Sequence, residues 1–102
     1  MPDSKPMPQQ GNLQVHLDDS VAEGHYANLV LITHSPVEFV LDFARVVPGS
    51  PKAKVQTRVI LAAAHAKNLL RALEDNIKKY EASHGEIKQP GASGTSKFGF
   101  QD

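Results

Sequence analysis

The chain has 102 residues, with eleven Lys and Arg against eleven Asp and Glu, no Cys and 6% aromatic residues. That length fits one domain, and the absence of Cys excludes disulfides, thiolate metal sites and a Cys nucleophile. A net charge near zero argues against binding nucleic acid through bulk charge. Because no apolar run approaches the ~18 residues of a membrane span and the N-terminus lacks an apolar signal core, we expect a cytoplasmic protein without membrane contact.

Both ends of the chain are rich in Pro and Gly and are predicted to be disordered tails. These tails cover residues 1–12 and 86–102. Segments of such composition cannot bury enough apolar surface to offset the entropy lost on ordering. A single domain over residues 13–85 remains, and its core is marginal because a ~60-residue domain buries only about 60% of its unfolded surface.

The first predicted elements are a strand and one helical turn. Leu13, Val15 and Leu17 alternate with polar residues, which is typical of a half-buried strand. Residues 20–23 have the spacing of a capping box, and Gly24 follows where a left-handed cap would end the turn.

Three more strands and a long helix follow. The strands are predicted over residues 26–33, 37–47 and 54–61, and turn residues separate them. Residues 63–84 carry apolar side chains at helical spacing, and Gly85 is expected to end the helix. The order predicts an α+β fold, a four-stranded antiparallel β-meander followed by one long C-terminal α-helix packed on one sheet face. The apolar stripe of that helix comprises Ala66, Leu69, Leu70, Leu73, Ile77 and Tyr80.

The turns predict the strand register. A tight turn centred on Ser35 would pair Leu31 with Phe39, and the turn at residues 48–51 would pair Leu41 with Val59. Because side chains alternate between faces with a period of two, both hairpins then place odd-numbered residues on one face. We expect the helix stripe to cover that face.

The other face is predicted to be an interface. The same register aligns Val30, Val40 and Ile60 in one row, with Tyr26 and Ile32 beside it. One helix cannot cover both sides of a sheet, and an exposed apolar patch usually marks an interaction site. These five residues therefore predict self-association through the sheet, unless the valines only reflect β-propensity.

Charges are segregated along the chain. Residues 13–43 contain five acids and no Lys or Arg, whereas residues 44–72 contain six bases and no acid. A basic patch of Arg45, Lys52, Lys54 and Arg58 would suit a nucleic-acid backbone. The alternative is internal pairing, such as Asp42 with Arg58 across two strands, in which case exposed pairs contribute little.

No motif indicates an enzyme. The five histidines show no i, i+4 pair on the helix, and neither an HExxH nor a GxSxG motif is present. A zinc site needs three or four converging ligands, and no Gly-rich loop opens a helix to bind phosphate. We therefore expect no catalytic residue, metal or cofactor.

Several motifs occur in a specific order over residues 17–85: DDSVAEG at 18–24, Tyr26-Ala27-Asn28, HSPVEFVLDF at 34–43, Pro48-Gly49 and the helix from residue 66 to 81. In these motifs the chain resembles a family of small bacterial proteins known only as a domain of unknown function. The resemblance implies the family's fold and a bacterial source, but no activity. The family's Thr or Ser before Pro-Glu is replaced here by Ala62-Ala63-Ala64. The layout also resembles the subunit of the bacterial export chaperone SecB, although fold does not determine function.

The sequence thus favours a non-enzymatic homodimer or larger homo-oligomer that binds protein or peptide through a sheet face or edge. The alternative is weak nucleic-acid binding through the basic patch. A third hypothesis is a small-molecule or metal site that uses the histidines.

Overall fold

Five antiparallel strands, one helical turn and one long helix make up the described part of the chain. The structure, a computed structural model, describes residues 4–89, with side chains described from residue 11 onward. It confirms the predicted α+β class, the antiparallel strands and the long C-terminal helix. The elements are β1 (Ser4–Gln10), β2 (Leu13–Asp18), α1 (Asp19–Ala22), β3 (Leu29–His34), β4 (Glu38–Val46), β5 (Ala53–Ala62) and α2 (Ala63–His84).

The first strand predicted from sequence belongs to a hairpin of its own. β1 pairs with β2, and this two-stranded sheet is separate from the three-stranded sheet β3-β4-β5. The predicted tail over residues 1–12 is therefore wrong for residues 4–10, and the predicted four-stranded meander has three strands. Pro6 and Pro8 suggest a disordered segment, but Pro is also tolerated in edge strands. The hairpin turns at Gly11, whose φ of 61° suits the first position of a type II′ turn.

The β3–β4 register differs from the predicted one. His34 lies opposite Phe39 and Leu31 opposite Asp42, so the loop spans four residues instead of turning at Ser35 alone. The Ser35 hydroxyl accepts hydrogen bonds from the backbone N–H groups of Val37 and Glu38, which stabilise the longer loop. This moves the register by an odd number of residues, and an odd shift exchanges the two faces of β3.

The β4–β5 register agrees with the prediction along most of its length. Leu41 lies opposite Val59 and Phe39 opposite Leu61, as expected. A register shift between Phe43 and Ala44 marks a β-bulge, so the remaining pairs near the turn are displaced by one residue.

Helix α2 has the predicted bounds. Its N-cap residue Ala62 has extended φ and ψ but no side chain that could accept a hydrogen bond. Gly85 follows the last residue with a φ of 88°, and its N–H donates to the carbonyl of Glu81 at 2.9 Å. The helix therefore ends with a glycine cap but begins without a side-chain cap.

The core of the single chain is small. Among the side chains described, only Leu41 at 7% exposure and Ala44 at 0% are buried hydrophobic residues. Between α2 and the sheet lies an open cleft of ≈ 470 Å³. Its lining residues are mostly apolar: Leu41, Phe43, Val59, Leu61, His65, Asn68, Leu69 and Ala72. The helix therefore rests on the sheet without closing over it.

Candidate interaction surfaces

The observed register divides the sheet into two faces. Residues directly opposite each other in an antiparallel pair point to the same side. We call the side toward α2 the covered face; its rows are His34–Phe39–Leu61, Ile32–Leu41–Val59 and Val30–Phe43–Thr57. We call the other side the open face; its rows are Thr33–Val40–Ile60, Leu31–Asp42–Arg58 and Leu29–Ala44–Val55.

The five predicted interface residues do not form one patch. Val40 and Ile60 lie opposite each other on the open face, as expected. Val30 and Ile32 lie on the covered face, because they are opposite Phe43 and Leu41. Tyr26 precedes β3, and the Arg45 guanidinium carbon lies 5.9 Å from its ring centroid, a distance typical of a cation–π contact. The predicted row of Val30, Val40 and Ile60 is therefore wrong. Leu31 and Thr33 lie on the open face of β3, where Val30 and Ile32 were predicted.

An ion pair occupies the middle of the open face. The Arg58 guanidinium donates from Nε to Asp42 Oδ1 at 2.7 Å and from Nη2 to Asp42 Oδ2 at 2.9 Å. These hydrogen bonds, followed by the charge attraction, lower the pKa of the Asp42 carboxyl, whereas desolvation opposes the shift. The same contacts raise the pKa of Arg58. The cross-strand pair expected from sequence is thus present, with its bidentate geometry fixing the orientation of Arg58.

The two edge strands of the sheet differ in how well they are protected against pairing with an added strand. β5 carries Lys54 and the bulge, and Pro51 lies just before it; charge, bulges and Pro are devices that discourage strand addition. β3 has the sequence LVLITH, with no Pro, Lys or bulge in its pairing with β4. In the described part of the chain no strand pairs with the outer edge of β3. This edge is therefore the better template for an added strand.

The predicted basic patch separates into two parts. Arg58 is bound by Asp42 on the open face. Arg45 lies directly opposite Lys54 in the ladder, and Lys52 lies in the adjoining turn. No carboxylate of the described residues comes within 4.0 Å of the nitrogens of these three side chains. Like charges placed opposite each other destabilise a sheet, so this cluster is not explained by internal pairing.

The histidines with described contacts lie in three different surroundings. His34 stacks on Phe39 with ring centroids 5.3 Å apart, and Tyr80 and His84 are 4.8 Å apart at the end of α2. His65 lines the cleft. Within residues 4–89 no group of three or more His, Asp or Glu side chains is close enough to hold a metal ion.

The apolar stripe of α2 is present as predicted, but most of it is not directed at the sheet. The helix residues that line the cleft are His65, Asn68, Leu69 and Ala72. Leu70, at 55% exposure, and Leu73, at 50%, point elsewhere. The expectation that the stripe covers the sheet is therefore correct for Leu69 alone among its large residues.

No helix within residues 4–89 is both long and apolar enough to cross a membrane. No curated protein and no solved structure matches the chain, so the likeness to the SecB layout stays a prediction. A family model described as "Protein of unknown function (DUF3467)" matches residues 1–89. Because that match covers most of the chain, including the β1–β2 hairpin, the sheet and α2, the protein belongs to this family of unknown function.

Proposed function

We propose that this protein is a non-enzymatic, homo-oligomeric module that binds protein or peptide segments. One observation carries the proposal: among the described side chains only Leu41 and Ala44 are buried hydrophobics, while large apolar residues are exposed on both the sheet and the helix. Monomeric proteins rarely leave such surfaces uncovered, and contiguous exposed apolar patches mark interaction sites.

The open face and the β3 edge favour an extended polypeptide as the bound partner. A peptide that adds to β3 gains backbone hydrogen bonds from an edge that nothing in the described chain occupies. Its alternate side chains would lie beside Leu31 and Thr33 on the open face. Ile60, at 55% exposure, and the half-buried Val40 extend that apolar surface across the sheet. We expect bound peptides to be extended, with apolar residues at every second position.

The test is selection from a random twelve-residue peptide library on the immobilised full chain. Enriched peptides should alternate apolar and polar residues, and they should shift the amide resonances of β3 most strongly. Val40→Lys places a charge on the open face and should weaken binding at least tenfold. Val37→Lys is the matched control, because Val37 is an exposed loop residue. No enrichment, or equal binding by Val40→Lys and the natural chain, would contradict the proposal.

A second candidate, weak nucleic-acid binding, is favoured by the cluster of Arg45, Lys52 and Lys54. These bases lack carboxylate partners among the described residues, and Arg45 lies beside the exposed Tyr26 ring, which offers a stacking surface. Binding of a single-stranded oligonucleotide should weaken as salt is raised. Changing both Lys52 and Lys54 to Gln should reduce the slope of the logarithm of the binding constant against the logarithm of the salt concentration, whereas Lys88→Gln should leave this slope unchanged. Absence of binding at low salt would eliminate this candidate.

A further inference from the structure

The apolar stripe of α2 is exposed over most of its length. Leu70, Leu73, Ile77 and Tyr80 recur at helical spacing, and between a third and a little over half of each residue is accessible. None of the residues of α2 is fully buried. Helices in proteins gain most of their stability from tertiary packing of such a stripe, so a 22-residue helix with an uncovered stripe lacks its expected partner.

The sheet of the same chain does not supply that partner. The cleft between α2 and the sheet is lined on the helix side by one stripe residue, Leu69, together with His65, Asn68 and Ala72. The stripe is centred instead on Leu73 and Ile77, which do not line the cleft. The helix thus faces the cleft mainly with one flank and leaves Leu70, Leu73 and Ile77 exposed. A helix selected only for packing within its own chain would turn this apolar stripe toward the sheet.

We propose that two copies of this chain associate through antiparallel pairing of their α2 helices, with the stripe centred on Leu73 as the shared contact. This inference rests on the homo-oligomer of the proposed function and identifies its surface. With the dyad at Leu73, Ala66 of one copy lies opposite Tyr80 of the other. A small residue then faces a large one, as interdigitated helix contacts require.

Charge favours a second copy in the antiparallel orientation. Residues 63–73 contain two bases and no acid, whereas residues 74–84 contain three acids against two bases. Antiparallel pairing places the basic first half of each helix beside the more acidic second half of the other, whereas parallel pairing would place the two basic halves side by side. Lys67, Glu74 and Glu81 lie on the same flank of the stripe. Across the dyad, Lys67 of each copy is within reach of Glu81 of the other, while Glu74 is the one acid on this flank that faces its own counterpart. The helix dipoles are also opposed in this arrangement.

The same charges argue against a membrane as the occupant. Helices that lie on a membrane surface carry a polar face rich in Lys and Arg. The four bases of α2 are nearly balanced by three acids.

The exposed area predicts a weak, reversible dimer. The four exposed stripe side chains, at roughly 80 Å² each, remove on the order of 600 Å² from water in the pair. Stable interfaces bury about 1,200–2,000 Å² in total. The helix contact alone therefore lies below the standard size, and we expect dissociation in the micromolar range.

The first test is sedimentation equilibrium of the full chain from low to high micromolar concentration. The natural chain should shift from one copy to two. Leu70→Glu should weaken association at least tenfold, because it places a charge in the stripe. Ala82→Glu introduces the same charge on the opposite side of the helix and should leave association unchanged. Far-UV circular dichroism checks that each variant retains its helix.

The second test uses disulfide trapping, which the Cys-free sequence makes unambiguous. Leu73→Cys should form a disulfide-linked dimer on mild oxidation. A mixture of Ala66→Cys and Tyr80→Cys chains should form the mixed dimer, whereas Tyr80→Cys alone should stay reduced. Efficient self-linking of Tyr80→Cys would overturn the antiparallel orientation. If Leu70→Glu stays folded and dimeric, the helix contact is wrong although the homo-oligomer stands; if the natural chain is a monomer throughout, both proposals fail.

Discussion

Leu41 is the large side chain on which the stability of the single chain depends most. It is 7% exposed in the central strand β4, whereas the other large side chains described are less completely covered. Leu41→Ala removes the equivalent of about three CH₂ groups at ~0.8 kcal/mol each, so the transfer cost is about 2 kcal/mol. Substitutions of this kind in enclosed cores cost up to ~5 kcal/mol, because they also leave an empty cavity.

The cleft beside Leu41 determines whether the loss of stability is the transfer cost alone or also includes the cost of an empty cavity. Leu41 lines an open space of ≈ 470 Å³ between the sheet and α2, so water can enter the volume that the truncated side chain leaves. Because no empty cavity is left, only the transfer cost applies, and we expect Leu41→Ala to lower the free energy of unfolding by about 2 kcal/mol. This is a large fraction of the total stability of a small domain.

Urea unfolding followed by far-UV circular dichroism measures this loss, because the chain has no Trp for fluorescence. With a slope of about 1 kcal/mol/M, the midpoint should fall by roughly 2 M. Leu13→Ala is the matched control: Leu13 on β2 is 64% exposed, so the same truncation should cost less than about 1 kcal/mol. A loss of 4–5 kcal/mol at low protein concentration would show that the cleft is closed. A loss no larger than that of Leu13→Ala would refute the assignment of Leu41 to the core.

Three further outcomes follow from the helix ends and the ion pair. Ala62→Ser supplies the missing N-cap acceptor of α2 and should raise the unfolding free energy by about 1 kcal/mol in urea titrations. Gly85→Ala should lower the unfolding free energy by about 1–3 kcal/mol in thermal melts; a Cβ there meets nothing within 4 Å, so the cost comes from the backbone at φ 88° and ψ 169° alone. Because Arg58 lowers the pKa of Asp42 in the folded state, the pair contributes stability that is present above the ordinary carboxyl pKa and is lost as the pH falls through the lowered one. Asp42→Asn should therefore flatten the acid limb of a plot of stability against pH, and an unchanged limb would contradict this assignment.

Part of the fold could be predicted from residues that are close together in the sequence. The bounds of α2 follow from apolar spacing and from Gly85, and the central β4–β5 register follows from the turn at residues 48–51. Once that register is known, the pairing of Asp42 with Arg58 follows as well, because the two residues are directly opposite. Each of these features depends on residues close in sequence or on one tight turn.

The features that differ from the prediction are those for which the local sequence is compatible with two structures. Pro6 and Pro8 are compatible with a disordered tail and with an edge strand, and only pairing with β2 decides between them. The β3 register depends on a hydroxyl of Ser35 that lengthens the loop, and the odd shift moves Val30 and Ile32 to the other face. The direction of the α2 stripe depends on what covers it, which an amphipathic pattern does not specify.

The placement of the two apolar surfaces bears on how self-association and partner binding would combine. α2 lies on the covered face of the sheet, so the helix stripe and the open face with Val40 and Ile60 are separated by the thickness of the sheet. Pairing through α2 would leave both open faces of a dimer available. A polypeptide long enough to reach both would then bind the dimer more tightly than two short peptides bind separately, since the second contact is intramolecular. Self-association and peptide binding would therefore reinforce each other for long partners and remain independent for short ones.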